Sequence, residues 1–360
     1  MNSHPADQTS SPDSVRALVI GSAGYVGGEL LRLLFAHPRI ARVTAHSRSA
    51  AHKPIASVHR HLAPLGPQTF IDGDREELAR RAQEHDVVFI ALDHGESSAI
   101  MDALWAAQPR LIVDLSADYR VADPELYAAY YGPHPSPALL SSFVYGLADV
   151  VGTGLRGVRA IAAPGCFATA AQLALYPLRT LLAGVTPSLF AVTGSSGAGA
   201  KPRDTTHHPA RAHNLFAYSV LKHRHEAEIL QGWRAFTGRP DAHARLLAHS
   251  GPMVRGIYLT LHACLPQPLP AGAVHAALHA AYADRPLVQI TDEPPELTHA
   301  ILTSQALLFG AQSRDGREVH VTIAIDNLLK GAAGQAVQSM NLALGWPEAC
   351  GLAALGAYPC

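Results

Sequence analysis

Cysteine is scarce in this chain. There are four, Cys166, Cys264, Cys350 and Cys360, widely scattered and with no C-x-x-C pair. That excludes a disulfide-stapled scaffold and a zinc finger, and it fits a reducing, cytoplasmic compartment. Charge is sparse too, at 16% Asp, Glu, Lys and Arg, and it is balanced: 28 Lys and Arg against 29 Asp and Glu, a net charge of −1. The bulk composition offers no basic face to nucleic acid or to an acidic membrane, so neither is expected as a partner. Long apolar runs are missing, none reaching the ~20 residues that a membrane span requires. Residues Met1–Ser14 are polar, contain Pro and Ser and lack an apolar h-region, so they read as a disordered leader rather than a signal peptide.

What is present is a globular composition, 360 residues of which 48% are hydrophobic. At roughly 100–200 residues per domain, two domains are expected. Short apolar strands are predicted at Arg16–Ile20, Ala41–Thr44, 86–92 and Leu111–Leu115, alternating with helices from Val26 to Pro38, Glu76–His85 and Ser97–Ala107. Strands alternating with helices imply βαβ units and a parallel, doubly wound α/β sheet. After about residue 160 the rhythm changes. Leu189–Thr193, Met253–Ala263 and Glu318–Ile325 read as longer strands with partial alternation, hence a mixed sheet with one covered face. Gln335–Leu344 reads as a last helix.

The first strand runs into Gly21, Ser22, Ala23, Gly24, Tyr25, Val26, Gly27 and Gly28, with glycines spaced G-x-x-G-x-x-G. Glycine permits a tight turn and lets the backbone approach a pyrophosphate, which the free N–H groups of the following helix then hold. An acid at the end of the second strand would select NAD. Here that segment ends in Ser47, Arg48 and Ser49, and Arg48 flanked by hydroxyls suits the 2′-phosphate of NADP(H).

In Pro164-Gly165-Cys166 a strand ends and a helix begins, placing Cys166 in the first turn of that helix. There the helix dipole is expected to stabilise a thiolate, the form that attacks acyl carbon. Cys264, inside a strand-like run, reads as a small buried hydrophobe. His223 and His225 stand at i and i+2 and, in an extended segment, share a face. One can exchange a proton with a thiol, the other can bind substrate, and Glu228 can orient either. No further ligand set accompanies the pair, so no metal is expected. A second glycine-rich loop, with Ser195, Ser196, Gly197, Ala198 and Gly199, offers amides and hydroxyls to a phosphate or a nicotinamide. Arg120 follows another strand's carboxyl end, where open α/β sheets bind ligands. The basic, His-rich stretch Lys201–His213 reads as a substrate flap, a docking patch or a solvated loop.

Taken in order, GSAGYVGGELLRLL, HSRS, DLSADYR, FVYGL, APGCFATA, GSSGAGAKP, HRHEAEI, PMVRGIYLT and DNLLKGAAGQAVQSMN resemble the N-acetyl-gamma-glutamyl-phosphate reductases of the semialdehyde dehydrogenase superfamily, from about Arg16 to Trp346. The resemblance implies a Rossmann-type sheet over 15–163, completed by the C-terminal helix 331–360, and an α+β catalytic and dimerisation domain with a mixed sheet over 164–330. It implies NADPH-dependent reduction of a small-molecule acyl phosphate through a Cys166 thioester, with His225 as acid–base partner and His223 second. Asn327 and the Lys330–Gly334 turn return to the cofactor, Gly197–Gly199 lie near the nicotinamide, and Arg120 and Arg255 contact substrate phosphate and carboxylate. A homodimer or homotetramer is implied. Phe167 departs from the tyrosine common at that position in the family. Thr205–Arg211 resembles relatives in lysine biosynthesis, whose substrate rides on an acidic carrier protein, and Lys201, Arg203 and Arg211 suit such docking. An N-succinyl substrate and a non-catalytic NADP-sensing protein are the remaining alternatives.

Overall fold

A computed structural model describes residues 15–353, 355 and 356; the leader and Cys360 lie outside the described residues. The first layer is a six-stranded parallel sheet built from β1 (Val15–Ile20), β2 (Ile40–His46), β3 (Val87–Ile90), β4 (Leu111–Asp114), β5 (Val144–Tyr145) and β6 (Ala160–Ala162). Its order is β2-β1-β3-β4-β6-β5. Helices cover both faces of a parallel sheet, so its strands read as continuous apolar runs: Val-Val-Phe-Ile of β3 and Leu-Ile-Val-Asp of β4 are wholly buried. The chain steps out from β1 to β2 and back to β3, which makes the carboxyl end of β1 a topological switch point with an open crevice. From there the helix Tyr25–Phe35 packs Leu30, Leu31, Leu33 and Leu34 against the sheet.

The second layer is a mixed, seven-stranded sheet, order β11-β12-β13-β10-β7-β9-β8. It comprises β7 (Ser188–Thr193), β8 (Phe216–Ala217), β9 (Arg245–Ser250), β10 (Ile257–Cys264), β11 (Val288–Ile290), β12 (Ala306–Gln312) and β13 (Glu318–Ile325). Along β10, Ile257, Leu259, Leu261 and Ala263 face the core. The alternate residues Tyr258, Thr260 and His262 are half-buried and Cys264 is exposed. The expected burial of Cys264 is therefore overturned, because the period of two puts it on the outer face at the strand's end. The strand expected from Met253 starts only at Ile257: Gly251 and Pro252 turn the chain, and Gly256 sits at φ +103°, in left-handed territory that ends extended pairing on its N-terminal side.

Helices Cys166–Leu175 and Ala273–Tyr282, with Trp233 from His225–Thr237, fill the inner face of this sheet. The last helix, Gly334–Ala343, turns back: Ala336, Val337 and Met340 join Val15, Leu30, Leu34 and Val113 in the core of the first layer. Just before it, Lys330 is completely buried, with Nζ 2.8 Å from both Asp149 carboxylate oxygens and 2.9 Å from Gln338 Oε1. Of the segment that the resemblance brings back toward the glycine loop, Lys330 itself turns inward, while Asn327, Gly331 and Ala332, with Leu328, line the cavity beside that loop. Among the described residues no helix is long and apolar enough to cross a membrane.

Candidate active site

The glycines of the first loop divide by purpose. Gly21 has φ +82°, and a Cβ there would lie 2.6 Å from Ala91 O; a Cβ on Gly27 would lie 2.5 Å from Ser22 Cα. Both are demanded by the protein's own packing. A Cβ on Gly24 meets nothing within 4 Å, so its bare backbone opens on the crevice, a cradle that fits a pyrophosphate. Tyr25, Val26 and Gly27 line the same cavity. Ser22 does not: it is fully buried, its Oγ donates to His46 O at 2.9 Å, and its carbonyl meets His59 Nε2 at 2.8 Å. At the end of β2, Ser47 accepts from the Ala50 amide. Arg48 is exposed and pairs with Glu96 at 2.6 Å, so an acid absent from the strand end arrives from another helix.

Cys166 opens the helix Cys166–Leu175 directly after Gly165, as the Pro-Gly pattern predicts. Its surroundings are a carboxylate-centred cluster. Glu228, completely buried, accepts from the Gly165 amide at 2.9 Å and from Tyr145 Oη at 2.8 Å, and pairs with Arg120 at 3.3 Å. Gln172 Nε2 donates to Tyr145 Oη at 2.7 Å. Glu228 thus anchors the turn before Cys166 and hydrogen-bonds to Gly165, Tyr145 and Arg120 rather than to either histidine, contrary to the orienting role expected of it. Arg120 is held on all its nitrogens, by Ala163 O, Leu115 O and Glu228. On the other side, a Cβ on Gly331 would lie 2.8 Å from Cys166 Cβ, so the wide π-type turn Leu329–Ala333 presses bare backbone against the cysteine.

The expected lowering of the thiol's pKa is reversed. Burial pushes Cys166 up to about 11, outweighing the Arg120 charge and the helix-tip amides. Burial also holds His225 well below the ordinary histidine range, with His223 and Arg120 adding repulsion, and lowers His223 to about 4. At neutral pH the pair is therefore a thiol beside neutral imidazoles. The histidines do not share a strand face: His223 lies in a turn and His225 begins the helix His225–Thr237, yet the rings stand 4.8 Å apart. His223 is engaged at both nitrogens, by the His225 amide at 3.1 Å and by Tyr218 Oη at 3.4 Å. His225 Nε2 lies over Gly165, where a Cβ would collide with it, and its buried Nδ1 has no partner.

The second glycine loop is not an amide cradle. The amides of Ser195, Ser196, Gly197 and Gly199 are spent on Met253 O, Val254 O, Gly194 O and Ser196 O. Asn327 pins it, donating from Nδ2 to Ser196 Oγ at 3.0 Å and accepting the Gly256 amide at 2.7 Å. The loop instead walls two cavities that meet at the sulfur. One, about 340 Å³, runs from Gly24–Gly27 past Asn327 and Gly331 to Arg120, His225 and Cys166. The other, about 650 Å³, holds Cys166 and His225 with His223, Tyr218, Lys222 and Arg211. Ser195, Gly197 and Ala198 border the second. Arg255 reaches neither. It pairs with Glu29 at 2.8 Å and with buried Asp326 at 3.6 Å, and lines a separate cavity of about 750 Å³ with His59, His61, Arg203 and His207. Tyr145, Gln172 and Glu96 were not singled out from the sequence; only FVYGL, which contains Tyr145, carried a signal.

Two family models match this chain: the semialdehyde dehydrogenase NAD binding domain over residues 16–157 and the semialdehyde dehydrogenase dimerisation domain over 166–327. The chain is 39% identical to N-acetyl-gamma-glutamyl-phosphate reductase of Methanosarcina acetivorans, covering 93% of this chain and 97% of the relative. It is 40% identical to that of Mycobacterium avium, covering 96% and 99%. It is 37% identical to [LysW]-L-2-aminoadipate 6-phosphate reductase of Deinococcus radiodurans, covering 97% and 99%. Aspartate semialdehyde dehydrogenase II of Vibrio cholerae shares the fold, with a TM-score of 0.67 at 14% identity over 91% of this chain and 98% of that one.

Proposed function

The chain belongs to the semialdehyde dehydrogenase family of oxidoreductases, and from that premise we propose that it reduces N-acetyl-gamma-glutamyl phosphate to N-acetylglutamate 5-semialdehyde and phosphate, with NADPH as reductant. The observation that carries this reading is Cys166 at a helix tip where two cavities join, one leading to the glycine cradle and the other to the histidines. The sulfur attacks the acyl carbon, its proton passing to neutral His225, and phosphate leaves with the C–O bonding pair, giving a thioester. A bound nicotinamide supplies the hydride that reduces the thioester. Protonated His225 returns its proton to the sulfur as the thiohemiacetal oxyanion re-forms its carbonyl and the C–S bond breaks, releasing aldehyde and free thiol. Glu228 and Arg120 are positioning residues: they fix the Gly165 amide and the turn that aims the sulfur. Removing a positioned acid–base group costs about 10²–10⁴ in rate. His225→Asn is expected to lose that much in kcat, and His223→Asn clearly less; steady-state kinetics at saturating substrate check the ranking.

For the cofactor, Arg48 leaves its exposed pair with Glu96, worth about 0–1 kcal/mol, for the stronger charge-assisted contact with a 2′-phosphate. Arg48→Ala is expected to weaken NADPH binding about tenfold or more and NADH hardly at all. Equal losses in fluorescence titrations with both cofactors would remove Arg48 from that role.

A second reading rests on the basic segment with Arg203, Thr205 and Thr206 in the wall of the cavity that holds His223 and on the Deinococcus radiodurans relative: an aminoadipyl or glutamyl phosphate carried on an acidic protein. Arg211, expected to join such docking, is instead buried and donates to Gly251 O. Phosphate-dependent NADP⁺ reduction assayed with free N-acetylglutamate semialdehyde, its N-succinyl analogue and a carrier-linked semialdehyde separates the readings. Turnover of the acetylated substrate alone supports the first; turnover of only the carrier-linked one sinks it. With this reading goes a cytoplasmic enzyme working as a homodimer or homotetramer, an assembly that the matched dimerisation domain supports.

A further inference from the structure

The outer face of the second sheet carries a group of side chains that the reaction does not use. β10 and β13 pair antiparallel with His262 opposite His320 and Cys264 opposite Glu318. Residues two apart on one strand and residues directly opposite on its neighbour point to the same face. His262, Cys264, Glu318 and His320 therefore occupy the four corners of one cell of the sheet. The ligand atoms of His262, Cys264 and Glu318 lie within 4.8 Å of one another, and His262 Nε2 is 3.9 Å from Glu318 Oε2. In the single chain Cys264 and Glu318 are exposed and His262 is half-buried. None of the four lines either cavity at Cys166.

We propose that this cell is a binding site for one divalent transition-metal ion of the zinc type. The donor set decides the class: imidazole, thiolate and carboxylate together suit Zn²⁺, whereas Mg²⁺ and Ca²⁺ demand oxygen ligands throughout. Bond lengths of about 2.0–2.3 Å place the ligand atoms of a tetrahedral ion roughly 3.5 Å apart. Exposed side chains on a fixed backbone cover the remaining difference, about 1 Å, by small rotations of their outer torsions. His320, whose Nε2 now contacts Thr322 Oγ1 at 2.6 Å, supplies the fourth ligand when its ring turns toward His262. As the metal–sulfur bond forms, the Cys264 thiol gives its proton to solvent, so affinity rises with pH. The ion cross-links two neighbouring central strands of the sheet at one of their ends.

The test is a Co²⁺ titration of the full chain after chelator treatment, followed by competition with Zn²⁺. A thiolate-to-cobalt charge-transfer band in the near ultraviolet, saturating at one ion per chain and bleached by Zn²⁺, is expected. It is expected to persist in Cys166→Ser, which removes the thiol between the two cavities, and to vanish in Cys264→Ser. His262→Ala and Glu318→Gln are expected to weaken binding by about 10–100-fold or more, since outer-shell losses already cost that much. A His275→Ala/His279→Ala protein, lacking the exposed helical pair whose Nε2 atoms stand 3.1 Å apart, is expected to keep the band. No band, a band that survives Cys264→Ser, or one that disappears only with Cys166 would overturn the proposal. Thermal unfolding of each metal-free variant separates a lost ligand from a lost fold.

Discussion

Cys166→Ser is expected to lower kcat by about four orders of magnitude or more while leaving nicotinamide binding intact, the loss seen when a nucleophile acting in concert with its base is removed. Serine nearly matches cysteine in shape, so the helix tip and the Gly331 contact survive. The hydroxyl is a far weaker acid than the thiol, and burial that already lifts the thiol to about 11 raises it further. His225, held well below the usual histidine range, is too weak a base to ionise it. Single-turnover assays for enzyme-bound acyl group and cofactor titration read the two halves of this outcome; retained turnover would end the nucleophile assignment. The same shifts predict the pH behaviour of the free protein. Iodoacetamide is expected to alkylate Cys166 slowly at pH 7, with the rate climbing toward pH 11, while exposed Cys264 reacts first. Because the base must be neutral and its pKa is lowered, the acid limb of kcat/KM is expected below pH 6.5, not at it. Fast labelling of Cys166 at neutral pH would show a preformed thiolate.

Lys330→Met is expected to destabilise the protein by about 3–5 kcal/mol, since it strands the Asp149 carboxylate without its cation in a site closed to water. Gln338 is the only other side chain bonded to that carboxylate among the described residues, through one N–H at 2.9 Å. Adding Asp149→Leu to Lys330→Met is expected to recover most of the loss, because two charges then leave the interior together and apolar groups of similar volume replace them. Urea unfolding of the two single variants and the double variant closes the cycle. Simple additivity of the two losses would show that the pair contributes nothing as a pair.

Local patterns announced those elements whose causes are local. The apolar runs Val-Val-Phe-Ile and Leu-Ile-Val-Asp, the glycine spacing after β1 and the Pro-Gly-Cys turn form strands, a tight turn into a helix and a helix tip. Ends moved by one to three residues, or by four where Gly256 bent the chain. What stayed hidden was set by contacts across long stretches of sequence. Glu228 grips an amide 63 residues away, and Lys330 pairs with a carboxylate 181 residues away. Neither leaves a periodic trace. The ionisation of Cys166 depends on a contest between dipole and desolvation, and only the depth of the site settles it. The segment Lys222–Ile229 fits extended and helical spacing equally well, so the histidines' shared position emerged from the turn that joins them rather than from a strand.

The last helix has a bearing on how the molecule comes into being. Val15, Leu30 and Leu34 wait for Ala336, Val337 and Met340, which are translated some three hundred residues later. During synthesis the opening sheet therefore emerges with one flank bare, and it remains so until those residues follow. Domains that complete themselves as they emerge escape this exposure; this one depends on a segment far downstream, so nascent chains stalled before Gly334 would be natural clients for chaperones.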